Sequence, residues 1–186
     1  MSEREKMLAG ELYDGFAPEL VEERVRARRL LGAYNATDAA DREGRTRILA
    51  ELIGSLGDDV WIEPPFFCDY GSNIVVGDGA YLNANCVVLD CAPVEIGAGA
   101  LLGPAVQIYA ATHPVSPAAR AAGKEYALPA SIGANTWIGG AAVILAGVTV
   151  GENSVVGAGS VVARDVPPNV LAVGNPCRVV RELEVE

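Results

Sequence analysis

The chain has 186 residues, is 51% hydrophobic, and carries 24 acidic against 14 basic side chains, a net charge of −10. That length buries one sizeable core, and the negative charge argues against nucleic acid or an anionic membrane as partner. No run of eighteen apolar residues is present to cross a bilayer.

The first residues, "MSEREKMLAGEL", are charged and lack the apolar stretch of a signal peptide. A cytoplasmic protein is therefore expected. The cysteines Cys68, Cys86, Cys91 and Cys177 form no C-x-x-C pair, so free buried thiols are expected rather than disulfides or a metal site. The first fifty-odd residues read as helices. A short one is expected over about Glu3 to Ala9. In "PELVEERVRARRLLGAY", Leu20, Val25, Leu31 and Tyr34 recur near helical spacing behind Pro18, a residue suited to a first turn. A further helix is expected to begin near Asp38 or Asp41 and to end in the Gly54–Gly57 region. Residues 1–57 are thus expected as a helical region and 58–186 as a second unit.

That second unit keeps a six-residue beat. Val76, Leu82 and Val88 are followed, after two extra residues, by Ile96, Leu102 and Ile108. Past an interruption come Ile132, Ile138, Ile144, Val150, Val156 and Val162. Every head is a branched aliphatic, and every fifth position, from Ala80 and Cys86 to Ser160 and Val166, is small. Glycine follows the head at 77, 97, 103, 133, 139, 151 and 157, but Leu89, Tyr109, Leu145 and Ala163 break that rule at every third hexad. Three hexads therefore make one coil of a three-sided β-solenoid, with the aliphatics stacked inward at about 4.8 Å per coil. Residues 62–75 look like an earlier, imperfect coil. Open ladder edges need covers, and the N-terminal helices and C-terminal tail are the candidates.

The interruption, "IYAATHPVSPAARAAGKEYALPASI", holds His113, the one histidine of the chain. With its Pro and Gly punctuation, the stretch from Pro114 to Ser131 is expected to project from the prism as a loop. Within residues 61–163 the basic residues are Arg120 and Lys124, both in this stretch. By periodicity alone, His113 reads as readily as a surface or turn residue as a catalytic one. Likewise Gly140 reads as a corner glycine, and Cys86 and Cys91 as core thiols.

The hexads resemble those of the hexapeptide-repeat acyltransferases, which form a left-handed parallel β-helix. "EKMLAGELYD", "RARRLLGAYN" and "IEPPFFCDYGSNI" narrow the resemblance to the maltose O-acetyltransferase type, related to galactoside and nodulation acetyltransferases. It runs from about residue 3 to residue 182. It implies transfer of acetyl from acetyl-CoA to a sugar hydroxyl, with no metal required. In "ATHP", His113 would be the general base. In "WIGG", the Gly140 N–H would meet the developing oxyanion.

The resemblance also places Gly140, Ala158 and Ala163 along the CoA, with Arg164, Arg178 and Arg181 near its phosphates, for which guanidinium is well suited. It puts Asp69, Tyr81, Asn83, Asp90 and Arg24 about the acceptor. Gly15 and Cys91 stand where the galactoside enzymes use acidic sugar ligands, which favours a glucose- or maltose-like acceptor. A homotrimer with sites between subunits is implied. Rivals are a galactoside, serine or xenobiotic acetyltransferase, and a non-catalytic scaffold. A zinc carbonic anhydrase of the same fold needs three histidines, and this chain has one.

Overall fold

The computed structural model describes residues 1–184. Helix α1 (Glu3–Leu8) starts at a capping box in which Ser2 accepts from the Glu5 N–H and Glu5 reaches back to the Ser2 N–H. Helix α2 (Pro18–Asn35) has proline in its first turn and buries Leu20, Ala27, Leu31 and Tyr34. Val25, expected on that buried face, is exposed instead. Helix α3 (Arg42–Leu52) is capped by Asp41, which accepts from the Gly44 N–H at 2.9 Å.

The solenoid is a three-sided prism of parallel strands. Its first face stacks Ser55–Leu56, Ile74–Val76, Val94–Ile96, Ala130–Ile132 and Thr149–Val150. The second stacks Trp61–Ile62, Tyr81–Leu82, Leu101–Leu102, Trp137–Ile138, Val155–Val156 and Val170–Val173. The third stacks Phe67–Cys68, Val87–Leu89, Gln107–Tyr109, Val143–Ile144 and Val161–Val162.

All the hexad heads point inward, none more than 2% exposed. Full burial of each such side chain is worth about 1.5–3 kcal/mol, which makes this column the main source of stability. The fifth positions fill the narrow interior, apart from Thr112, which is half-buried. Inward hydroxyls are satisfied: Thr136 donates to the Gly133 carbonyl at 2.7 Å and Ser154 to that of Pro167 at 2.8 Å.

The imperfect coil is a true one. Leu56, Ile62 and Cys68 stack on Val76, Leu82 and Val88, so the prism starts at Ser55, just before the expected boundary at residue 58. Its first two coils each run two residues long, because Cys68 to Val76 and Val88 to Ile96 both span eight positions. The surplus widens one corner, at Asp69–Asn73 and Asp90–Pro93.

Both ends are covered. At the first coil, Tyr34 donates through its hydroxyl to the Ile62 carbonyl, and Asn35 clamps the N–H and C=O of Phe66, each at 2.9 Å. At the last, Arg178–Glu182 turns back antiparallel on Val170–Val173 and stops the parallel ladder.

The interruption is only partly a projection. It leaves through Ala111–Thr112, forms helix α4 (Pro117–Ala121), and returns as Lys124–Ala127. The returning strand lies between Ala111–Thr112 and Tyr13–Asp14, antiparallel to both, and so ties the excursion to the N-terminal region. Thr112 pairs with Tyr126 in that small sheet, which explains why it leaves the interior. Ala130 and Ser131, expected in the loop, already belong to the first face.

Candidate functional site

The widened corner, helix α2 and the returning strand enclose a pocket of about 420 Å³. Its polar lining is Arg24, Arg28, Asp69, Tyr70, Cys91 and Glu125; Phe16, Val21 and Val25 supply an apolar side. This is why Val25 is not core: it faces the pocket rather than the prism.

Arg24 is pinned, with one guanidinium nitrogen donating to the Tyr70 hydroxyl at 2.7 Å and the other to the Gly15 carbonyl. Its guanidinium also stands 5.7 Å from the Tyr70 ring centroid. Asp69 accepts from the Cys91 thiol at 3.5 Å, and burial raises its carboxyl above the ordinary range despite that bond and the nearby arginines.

Asp90 does not join them. It is wholly buried, and its carboxylate accepts from the backbone N–H groups of Asp69 (3.0 Å), Tyr70 (2.9 Å) and Asn73 (3.3 Å). The Asn73 amide returns a bond to the Asp90 carbonyl at 2.7 Å. Contrary to the expectation that it meets the acceptor, Asp90 has spent its oxygens holding the widened corner in shape. Burial pushes its carboxyl up to about 6 against the pull of those N–H groups.

Tyr81 and Asn83 are also absent from the pocket lining. Tyr81 lies on the second face between Trp61 and Leu101, and Asn83 follows at the corner between the second and third faces. Along that same edge, two and three coils further, stand Gly140 and Ala158. A Cβ on Gly140 would come within 3.1 Å of the Pro104 carbonyl oxygen. The Gly140 carbonyl accepts from Gly159 at 2.9 Å, while its N–H donates to no group among the described residues. At the equivalent positions of the preceding coils Pro104 has no N–H and the Ala84 N–H donates to Asn83 Oδ1 at 2.8 Å, so the free Gly140 N–H is not repeated there.

His113 is exposed, two residues beyond the pocket-lining Ala111, and makes no hydrogen bond among the described residues. It stands past the third face, whereas Gly140 stands before it. Within one chain the two therefore occupy different edges of the prism.

At the far end, Arg164 and Arg178 flank a cleft of about 140 Å³ with Cys177. Ala163 is exposed beside Arg164, and Arg181 is exposed on the terminal strand opposite Leu171. Cys86 and Cys91 are buried thiols, pushed up by burial to about 11 and about 12, so neither is a ready nucleophile.

Sequence reasoning placed Gly15 and Cys91 at acceptor positions but missed most of the pocket wall: Phe16, Val21, Arg28, Tyr70, Ala111 and Glu125. Val21, Arg24, Val25 and Arg28 share one stripe of α2 at spacings of three and four, a pattern visible in the sequence. No comparable signal marks Glu125, which lies in the aperiodic excursion.

Residues 6–57 match the maltose acetyltransferase hexapeptide capping motif, and residues 129–164 match the bacterial transferase hexapeptide family of six repeats. Nodulation protein L of Rhizobium meliloti is 50% identical over 178 residues, covering 96% of this chain and 97% of that protein. A maltose O-acetyltransferase crystal structure from Clostridium difficile 630 superposes with a TM-score of 0.98 at 46% identity, covering 100% of this chain and 99% of that one. A galactoside acetyltransferase in complex with coenzyme A gives 0.96 at 41% identity, covering 99% and 92%.

Proposed function

The chain belongs to the hexapeptide-repeat acetyltransferases of the maltose and galactoside type, and on that premise we propose that it moves acetyl from acetyl-CoA to a hydroxyl of a glucose- or maltose-like sugar. The observation that carries the sugar assignment is the pocket beside the root of the excursion. It sets carboxylates and guanidinium groups, which bind hydroxyls, opposite the apolar side of Phe16, Val21 and Val25.

In this reading neutral His113 takes the proton of the sugar hydroxyl as its oxygen attacks the thioester carbonyl carbon. The Gly140 N–H stabilises the tetrahedral oxyanion. Collapse breaks the carbon–sulfur bond, and the proton passes from His113 to the departing CoA sulfur. The high thiol pKa values of Cys86 and Cys91 favour this direct transfer over an acyl-cysteine.

CoA phosphates would meet Arg164, Arg178 and Arg181, with the pantetheine arm passing Ala158 and Ala163; the galactoside relative solved with coenzyme A supports that ligand. Because His113 and Gly140 occupy different edges of one prism, a complete site calls for two copies, in keeping with a homotrimer. Asn83, on the Gly140 edge, would then reach the acceptor from the neighbouring copy.

Thiol release from acetyl-CoA with glucose, maltose, a thiogalactoside, serine and chloramphenicol tests the assignment. The first two should give the highest kcat/KM, and the enzyme should sediment as three chains. A preference for serine or chloramphenicol overturns the sugar reading, release with none of the acceptors leaves a scaffold, and a monomer contradicts shared sites.

A further inference from the structure

Glu125 enters the pocket from the excursion, opposite Gly15. Its strand pairs with Tyr13–Asp14, with Glu125 in register with Tyr13. The buried Tyr13 hydroxyl donates to Glu125 Oε2 at 3.0 Å. Glu125 Oε1 accepts from no group among the described residues. It lies 2.9 Å from where a Cβ of Gly15 would be, with the carboxyl carbon at 3.0 Å and Oε2 at 3.1 Å. Gly15 has no left-handed backbone angle to demand glycine; a Cβ there would instead crowd the Glu125 carboxylate and press it aside.

We propose that Glu125 is an acceptor-specificity residue, whose Oε1 receives a hydrogen bond from one sugar hydroxyl while Tyr13 and Gly15 hold the carboxylate in place. This rests on the sugar reading above. A carboxylate oriented on one oxygen and open on the other is a prepared acceptor for a hydroxyl, and such charge-assisted bonds are the stronger kind. Gly15 and Tyr13 are positioning residues, acting through Glu125.

The test is acetyl transfer to glucose and to its monodeoxy derivatives, followed by thiol release, for wild type, Glu125→Ala, Glu125→Gln, Gly15→Ala and the Gly15→Ala/Glu125→Ala double variant. Glu125→Ala should raise the glucose KM about ten- to a hundredfold, with kcat and the acetyl-CoA KM within about threefold of wild type. Glu125→Gln, which keeps an acceptor oxygen, should recover part of the loss. For one monodeoxyglucose, wild type and Glu125→Ala should share the same KM, because the contacted hydroxyl is gone. Gly15→Ala should raise KM in the wild-type background and leave it unchanged once Glu125 is alanine.

An unchanged glucose KM in Glu125→Ala, a rise of the same factor on every deoxy sugar, or an effect confined to kcat overturns the inference. Wild type that acetylates glucose normally beside such a result leaves the sugar reading standing. No transfer by wild type to these sugars or to maltose overturns both.

Discussion

Asp90 is the residue whose position most changes the reading of the chain. An aspartate at a corner reads as a ligand for hydroxyls, yet its oxygens serve three backbone N–H groups of the neighbouring coil. Removing the carboxylate leaves the buried Tyr70 N–H and the half-buried Asp69 and Asn73 N–H groups without their partner, so Asp90→Ala should cost about 3 kcal/mol or more in unfolding free energy. Its pH dependence has a definite sign. The folded chain holds the Asp90 proton up to about pH 6, whereas an unfolded aspartate releases it near pH ~3.9. The contribution is complete below the unfolded value and lost as pH rises through the folded one. Thermal melts should therefore show a wider gap between wild type and Asp90→Asn at acid pH than at neutral pH, and a gap that widens toward neutrality contradicts the raised value.

Among the elements, the turn glycines divide into two kinds by their place in the hexad. Gly139 sits where the next coil passes, and a Cβ there would lie 2.4 Å from the Ala158 nitrogen. Gly159 has open space around it but a φ of +69°, the region that Asn85, Asn135, Asn153 and Asn169 occupy at the other turns. Gly139→Ala should lose about 2 kcal/mol or more, while Gly159→Asn stays within about 0.5 kcal/mol, as read by denaturant unfolding. Equal losses would contradict this division, because Gly139 has no left-handed angle and Gly159 no close neighbour.

The beat of aliphatic heads was legible because inward packing allows little else. It faded in the first coil, where Cys68 replaces a branched head and the bulky Phe66 stands at a fifth position. It gave no account of the excursion, whose returning strand is fixed by pairing with Tyr13–Asp14, far away in sequence. Glu125 was illegible for that reason, and Val25 was misread because a residue facing a pocket obeys the same spacing as one facing a core.

For the whole molecule, the prism is a ruler that spaces functions along and around itself. The pocket with Asp69 and Arg24 lies at the helix-capped end, the Arg164–Arg178 cleft at the other, and Gly140 on the edge between. The resemblance carried over from motifs named residues on all of these places without saying that one chain keeps them apart. In the proposed enzyme, neighbouring copies reunite them, and the excursion carries His113 into the shared space. The most direct measurement is the rate of CoA release with saturating acetyl-CoA and glucose or maltose, compared between wild type and His113→Ala at equal acetyl-CoA affinity. The account predicts sugar-dependent release by wild type and a fall of about 10²–10⁴ in kcat for the variant. Undiminished release by His113→Ala would contradict it.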